Sequence, residues 1–301
     1  MVTTSKMFEE VEDVSIRPTL YKRQQFILTL MQKLKTKVTA TDFQKIVFLY
    51  LKRKNLTYYD FVPYKFGAYS FQLTKDIDFL SSVGYLAPEN KVTVLETYAS
   101  IAPIDLSLIE NLRGDALIRK SYELYPYYAI NSEITERVLD SVALQRVQSV
   151  VQQLFDNEQK LFSIGYEGKS IEQFINLLLI NNVRVLCDIR SNPLSRKFGF
   201  SQDKLKHVTE SVGISYIHIP SLGIESQLRQ SLETQEDYAN LFAKYKETLP
   251  SKKQALQELF SLVKSNIRVA IMCFEKDPNC CHRNIVKNFL TEEYQINSEN
   301  L

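Results

Sequence analysis

Beyond residue 160 the chain alternates between short apolar runs and segments of helical periodicity, and this alternation constrains the fold more than any other feature. The runs are 161–164, 183–188, 214–219 and 267–272. They are short, rich in Val and Ile, and in places continuously apolar, as expected of strands covered on both faces. Between the first two, Phe174, Leu177 and Leu178 recur at helical spacing behind Ser170, a side chain suited to capping a helix. Ser201 opens a second helix that ends at Gly213, and two more are expected over roughly 236–248 and 252–265. Segment 221–235 reads as loop-rich. Strands separated by helices imply a parallel, doubly wound sheet. The expected strand order is 3-2-1-4, with ligands bound between the first and fourth strands, where the connections diverge.

A parallel sheet gathers its carboxyl ends on one edge, and three of these ends carry chemically capable residues. The first ends at Tyr166 and Glu167, the second at Asp188 and Arg190, and the fourth at Cys273 and Glu275. Crowded carboxylates push their pKa values apart, so that one can donate a proton while another accepts one. Glu167, Asp188 and Glu275 are therefore candidate catalytic groups, with Tyr166 orienting a substrate. Such a set suits cleavage or transfer at a glycosidic bond, including the N-glycosidic bond of a nucleoside. The structural alternative is that Glu167 and Asp188 only hold Arg190 or Arg283 in ion pairs.

Anion binding falls to Arg190, Ser195, Arg196, Lys197 and Arg283, with Cys281 and His282 beside the N-terminus of a helix expected to start at Asn279. These residues suit a phosphate, either of a nucleotide or of a nucleic-acid backbone. Cys273 and Cys281 are candidate nucleophiles, because a helix N-terminus and Arg283 would lower a thiol pKa. The Cys-x5-Arg cradle of a phosphatase is absent. Cys273, Cys280, Cys281 and His282 are also metal-ligand types. Adjacent cysteines do not easily share one tetrahedral site, however, and no Cys-x-x-Cys spacing occurs, so neither a metal nor another cofactor is expected.

The first half reads as mostly helical. An acidic arm is expected over 1–18, then helices over 19–35 and from about 41 to 54, the second capped by Thr39 or Thr41. An extended piece turns at Gly67, a third helix runs from Ser70 to near Gly84, and Val92, Thr93, Val94 and Leu95 follow as a hairpin strand. Three helices and a small hairpin form the pattern of a winged helix. Lys52, Arg53 and Lys54, together with Lys22, Arg23, Lys33, Lys35 and Lys37, are the candidate nucleic-acid contacts; the alternative is a solvated face on a protein–protein module. Further helices are expected around Leu106, Ile109 and Leu112, around Leu117 and Tyr122, and as one long element over 134–155. The polar run 156–160 marks the boundary between a helical domain, 19–156, and an α/β domain, 157–301.

Phe66, Gly67, Ala68, Tyr69 and Ser70, followed by Leu73, Asp76, Ile77, Leu80 and Gly84-Tyr85-Leu86, resemble the signature of Panacea-type antitoxin domains, with Ala68 in place of the usual Pro. The second half carries a longer series: Gly165-Tyr166-Glu167-Gly168, Asp188-Ile189-Arg190, Pro193, Ser195-Arg196, Phe200, Tyr216, Leu222-Gly223, Cys273-Phe274-Glu275 and Cys281-His282-Arg283. In order and spacing these blocks resemble the domain-of-unknown-function 488 family over about residues 161–295. The resemblance implies a Rossmann-like domain and a context of nucleic acid and prokaryotic defence.

Composition narrows the classes. A net charge of +2 confines any basic footprint to a local patch. No apolar run approaches the roughly 18–20 residues of a membrane span, so no membrane partner is expected. The four cysteines lack disulfide spacing, which points to a reducing, cytoplasmic setting. The expectation is thus an α/β protein: a Rossmann-like sheet flanked by helices, joined to a helical, winged-helix-like N-terminal domain. Its expected function is a nucleotide- or nucleic-acid-processing enzyme, a hydrolase or transferase, whose N-terminal half binds DNA, a protein partner or a second copy. The alternative is a non-catalytic regulator that senses a nucleotide or other anion.

Overall fold

The computed structural model describes residues 18–34, 38–87, 91–92, 101–107, 109, 111–225, 234–266 and 268–301. The expected arm, apart from Pro18, lies outside the described residues, as do Lys35, Lys37, Thr93 to Leu95, most of the loop 221–235 and Ile267.

The N-terminal part contains α1 (Lys22–Leu34), α2 (Ala40–Lys54), β1 (Val62–Tyr64), β2 (Gly67–Tyr69), α3 (Phe71–Ser82), β3 (Leu86–Ala87) and β4 (Lys91–Val92). Thr39 caps α2 by accepting from the Asp42 amide at 3.1 Å, and Asn55 closes it in the left-handed region. β1 and β2 form an antiparallel hairpin around Gly67, whose φ of +92° suits glycine and whose missing side chain leaves room for the Tyr122 ring. Next come α4 (Gly114–Leu124), α5 (Thr135–Val138) and α6 (Ser141–Leu154). The single helix expected over 134–155 is therefore two. Asp140 accepts from the Ala143 amide at 2.8 Å and starts α6 afresh after the extended Leu139. The described residues around Leu106 and Leu112 make turns and no helix.

The remaining elements are β5 (Lys160–Gly165), α7 (Ile171–Ile180), β6 (Val185–Asp188), α8 (Gln202–Ser211), β7 (Ser215–His218), α9 (Gln235–Thr248), α10 (Lys253–Asn266), β8 (Arg268–Cys273), α11 (His282–Tyr294) and β9 (Ser298–Asn300). Chain contacts define two compact units, one of residues 1–37 and 75–105, the other of 38–74 and 106–301. In the first, Asp76 is buried and accepts from Arg23 at 2.6 Å and Gln24 at 3.2 Å, tying α3 to α1.

The second unit is built on a five-stranded parallel sheet in the order β7-β6-β8-β5-β9. The expected order 3-2-1-4 is corrected: the fourth strand enters between the first and second. All six residues of β8 are buried, and only a central position covers such a strand on both faces. A fifth strand, β9, was not expected; its polar Ser298-Glu299-Asn300 suits an edge and carries no strand pattern.

Side chains alternate between two cores. Phe162, Ile164, Leu186, Ala270 and Met272 face the layer holding α7 and α8. Leu161, Val185, Cys187, Val269 and Ile271 face the layer holding α10 and α11. The helices that follow the neighbours β5 and β8 thus lie on opposite faces, and the crevice between these strand ends is where such sheets hold ligands.

Segment 38–74 packs into the same unit. Lys45 of α2 is buried and donates to the Ala68 carbonyl at 2.7 Å. Burial lowers its pKa from 10.5 to about 7, against the opposing charge of Asp42. The unfolded chain then holds more protons than the folded one between these values, so stability should rise with pH across that window. Urea unfolding of the full chain from about pH 7 to about pH 9 should show this rise, and Lys45→Met should remove it.

Candidate active site at the sheet's carboxyl edge

The three strand ends are brought together because β8 lies between the other two. Gly165 is in register with Cys273, and Asp188 with Met272. Pairing continues past the strands: the Tyr166 amide donates to the Cys273 carbonyl at 3.3 Å, Glu167 to Phe274 at 2.9 Å, and Ile189 to Met272 at 3.3 Å. A Cβ at Gly165 would run into the Glu275 carbonyl, so only glycine lets the two loops come this close. Gly223 has the same role against the Ser191 backbone.

Asp188 is fully buried and fully engaged. Its Oδ2 accepts from Arg190 Nη2 at 2.5 Å and from the Tyr216 hydroxyl at 2.7 Å, and its Oδ1 accepts from Arg190 Nε at 2.8 Å and the Arg190 amide at 3.1 Å. Arg190 extends the network by donating from Nη1 to the Tyr166 hydroxyl at 3.0 Å, and His218 Nε2 meets its carbonyl at 2.8 Å. Burial alone would lower the Arg190 pKa, but the bonds and charge of Asp188 outweigh it and hold the guanidinium proton more tightly than usual. Burial and then Asp188 push the Tyr216 phenol up, keeping it a hydrogen-bond donor. The ion-pair alternative weighed for Asp188 thus describes its geometry. The Tyr166 ring stacks on Phe200 at 4.3 Å, which fixes its hydroxyl against Ser195 Oγ at 3.4 Å.

Glu167 is exposed, and its carboxylate accepts the Lys276 amide at 2.9 Å. Glu275 is half-buried in the same loop. Arg283 is fully buried under that loop, donating from Nη1 to the Glu275 carbonyl at 2.5 Å, from Nη2 to the Lys276 carbonyl at 3.1 Å and from Nε to Ser163 Oγ at 3.3 Å. It shapes the loop that carries Glu275. The expected start of the last helix is also corrected. Asp277 accepts from the Asn279 amide at 2.8 Å and opens a single 3-10 turn, Pro278–Cys280, after which α11 begins at His282.

Of the expected anion-binding set, Arg190, Arg283, Cys281 and His282 are buried, Ser195 is half-buried and Arg196 is exposed. Lys197 donates to the Tyr166 carbonyl at 3.0 Å, and Lys169 donates to the Gly165 carbonyl at 3.0 Å. Burial lowers the Lys169 pKa first, and the charges of Arg283, Lys276 and Lys197 lower it further. Lys169 and Lys276 were not anticipated. Their signal was present, each lying beside a block already noted, but isolated lysines read as solvated surface. Burial, with Cys273 and Glu275 beside it, pushes the Cys281 thiol far up, which opposes its use as a nucleophile. Lys52, Arg53 and Lys54 are exposed on the last turn of α2, where cations favour the negative helix end, and Lys52 lies 5.5 Å from the Tyr128 ring centre. A cavity of about 220 Å³ lies at the amino ends of β6 and β7, away from this chemistry.

A parallel sheet whose central crevice holds a buried Asp–Arg–Tyr network defines an open α/β domain with a polar site at its carboxyl edge. The sequence-family model described as "Domain of unknown function DUF488" matches residues 170–290, within the half of the chain where the motif blocks lie. No curated protein and no solved structure matches the chain. Among the described residues no helix is long and apolar enough to cross a membrane.

The network and the exposed acid separate in their expected mutational cost. Asp188→Ala leaves a buried guanidinium without its partner and should destabilise the protein by about 3–5 kcal/mol. Glu167→Gln sits at an exposed position and should cost no more than about 1 kcal/mol. Denaturant titration of both variants checks the contrast.

Proposed function

We propose that the carboxyl edge of the sheet binds a phosphate-bearing ligand, a nucleotide or a nucleic-acid strand, and that the domain processes it. Lys169 and Lys197, bonded to the Gly165 and Tyr166 carbonyls at the end of β5 with the charges of Lys276 and Arg283 nearby, carry this reading. Like charges held close cost free energy, and an arriving phosphate relieves that cost. Lys169 and Lys197 each give one hydrogen bond to a carbonyl and keep further donors for a ligand. The Phe274 ring is 44% exposed and sits edge-on to Tyr166 at 5.3 Å, so a base can stack beside the bound phosphate.

With Asp188 engaged by Arg190 and Tyr216, the acid–base work of a glycosidic hydrolase or transferase falls to Glu167 and Glu275, and Tyr166 orients the substrate. The fully engaged Asp188 also favours a second reading, a sensor of nucleotides or other anions without turnover. In either case Lys52, Arg53 and Lys54 are the proposed contact of the N-terminal half with DNA or a partner.

Calorimetric titration of the full chain with adenosine triphosphate and with a short single-stranded oligonucleotide tests the proposal. Lys169→Ala with Lys276→Ala should weaken binding at least tenfold and reduce the salt slope for the strand by about 0.7 per lost phosphate contact. Absence of binding to either probe at low salt rejects the reading. Glu167→Gln and Glu275→Gln, tested separately, distinguish its two forms: binding kept with turnover lost identifies an enzyme, and an unchanged profile in both variants identifies a sensor.

A further inference from the structure

The strand-end cysteine, the residue before α11 and the first residue of α11 form a cluster that the phosphate site does not use. Cys273 Sγ lies 3.8 Å from His282 Nδ1, and Cys281 Sγ lies 3.9 Å from the same nitrogen. All three candidate ligand atoms lie within 4.8 Å of one another, and all three residues are buried. Cys280, adjacent in sequence, is exposed, with its Sγ 3.9 Å from Asp277 Oδ2 and outside this group, so the two neighbouring cysteines do not compete for one site.

We propose that Cys273, Cys281 and His282 bind a zinc ion. Metal–sulfur bonds of ~2.3 Å and metal–nitrogen bonds of ~2.0–2.1 Å at tetrahedral angles place sulfur and nitrogen ~3.6 Å apart. The two sulfur–nitrogen separations need to contract by only a few tenths of an ångström. The histidine is already oriented for the task. Its Nε2 lies 3.3 Å from the Ile189 carbonyl, and a proton held there leaves the Nδ1 lone pair facing both sulfurs. The Tyr245 ring packs edge-on at 5.5 Å and fixes the imidazole plane. Two thiols and an imidazole are a soft donor set that selects zinc over magnesium or calcium. Binding releases the thiol protons to solvent and forms two metal–thiolate bonds, with no change of oxidation state. With three protein ligands, the fourth position of the tetrahedron is left for a water or a substrate group.

The full chain, purified in reductant, should contain about one zinc per chain by elemental analysis. Replacement with cobalt should give thiolate charge-transfer absorption and the intense visible bands of a tetrahedral ion. Cys273→Ser, Cys281→Ser and His282→Gln should each weaken binding by at least the roughly 10–100-fold that loss of an outer partner costs. Cys280→Ser should bind as the parent does. The cobalt spectrum of the parent chain stands even if a ligand variant fails to fold. A folded, reduced parent chain that takes up neither zinc nor cobalt overturns the proposal. So does equal loss of metal in Cys280→Ser, or thiol counting in which Cys273 and Cys281 form a disulfide whether or not zinc is supplied.

Discussion

The burial of β8 is the constraint on which the second unit depends. A strand with all six residues inside needs a hydrogen-bonded neighbour on each side and an apolar layer on each face. β5 and β6 supply the neighbours; α7 and α8 cover one face, and α10 and α11 the other. The site follows from the same requirement. A central strand flanked by two others places three chain exits side by side, and the loops continue the pairing for a residue or two beyond the sheet.

Polar groups at this edge divide into those that hold the scaffold and those left for a ligand. Asp188, Arg190, Tyr216 and Arg283 are buried and multiply bonded, and an unsatisfied member would cost more than the network contributes. They fix the backbone of the second and fourth loops. Glu167, Lys169, Lys197 and Lys276 lie further out and are accessible to solvent. The strongest ion pair in the site is thus scaffold, and the more weakly held charges around it are the ones a ligand can recruit.

Much of this was legible in the sequence. Alternating apolar runs located the four longer strands, and Ser170 and Thr39 marked helix starts because capping is local chemistry. Strand order was not legible: it depends on which run needs two neighbours, and β8 is only marginally more apolar than its rivals. β9 was missed because a three-residue polar edge strand has no periodicity. Asp188 and Glu167 looked equivalent as strand-end acids, yet Tyr216, 28 residues beyond Asp188, settles the burial of one of them. The gathering of Cys273 with Cys281 depends on how the loop folds back over Gly165, which no spacing rule encodes.

The placement of β8 also governs the order in which the sheet can assemble. β5 and β6 are separated by a single helix in sequence but do not pair; each pairs with β8, and Lys160 finds Arg268 only after most of the domain has been traversed. No two-strand nucleus can form from β5 and β6 alone, so loop-closure entropy is met before the central pairing rewards it. Until then β5 and the β6–β7 pair have open apolar edges. Slow folding and a need for protection from aggregation are built into this strand order.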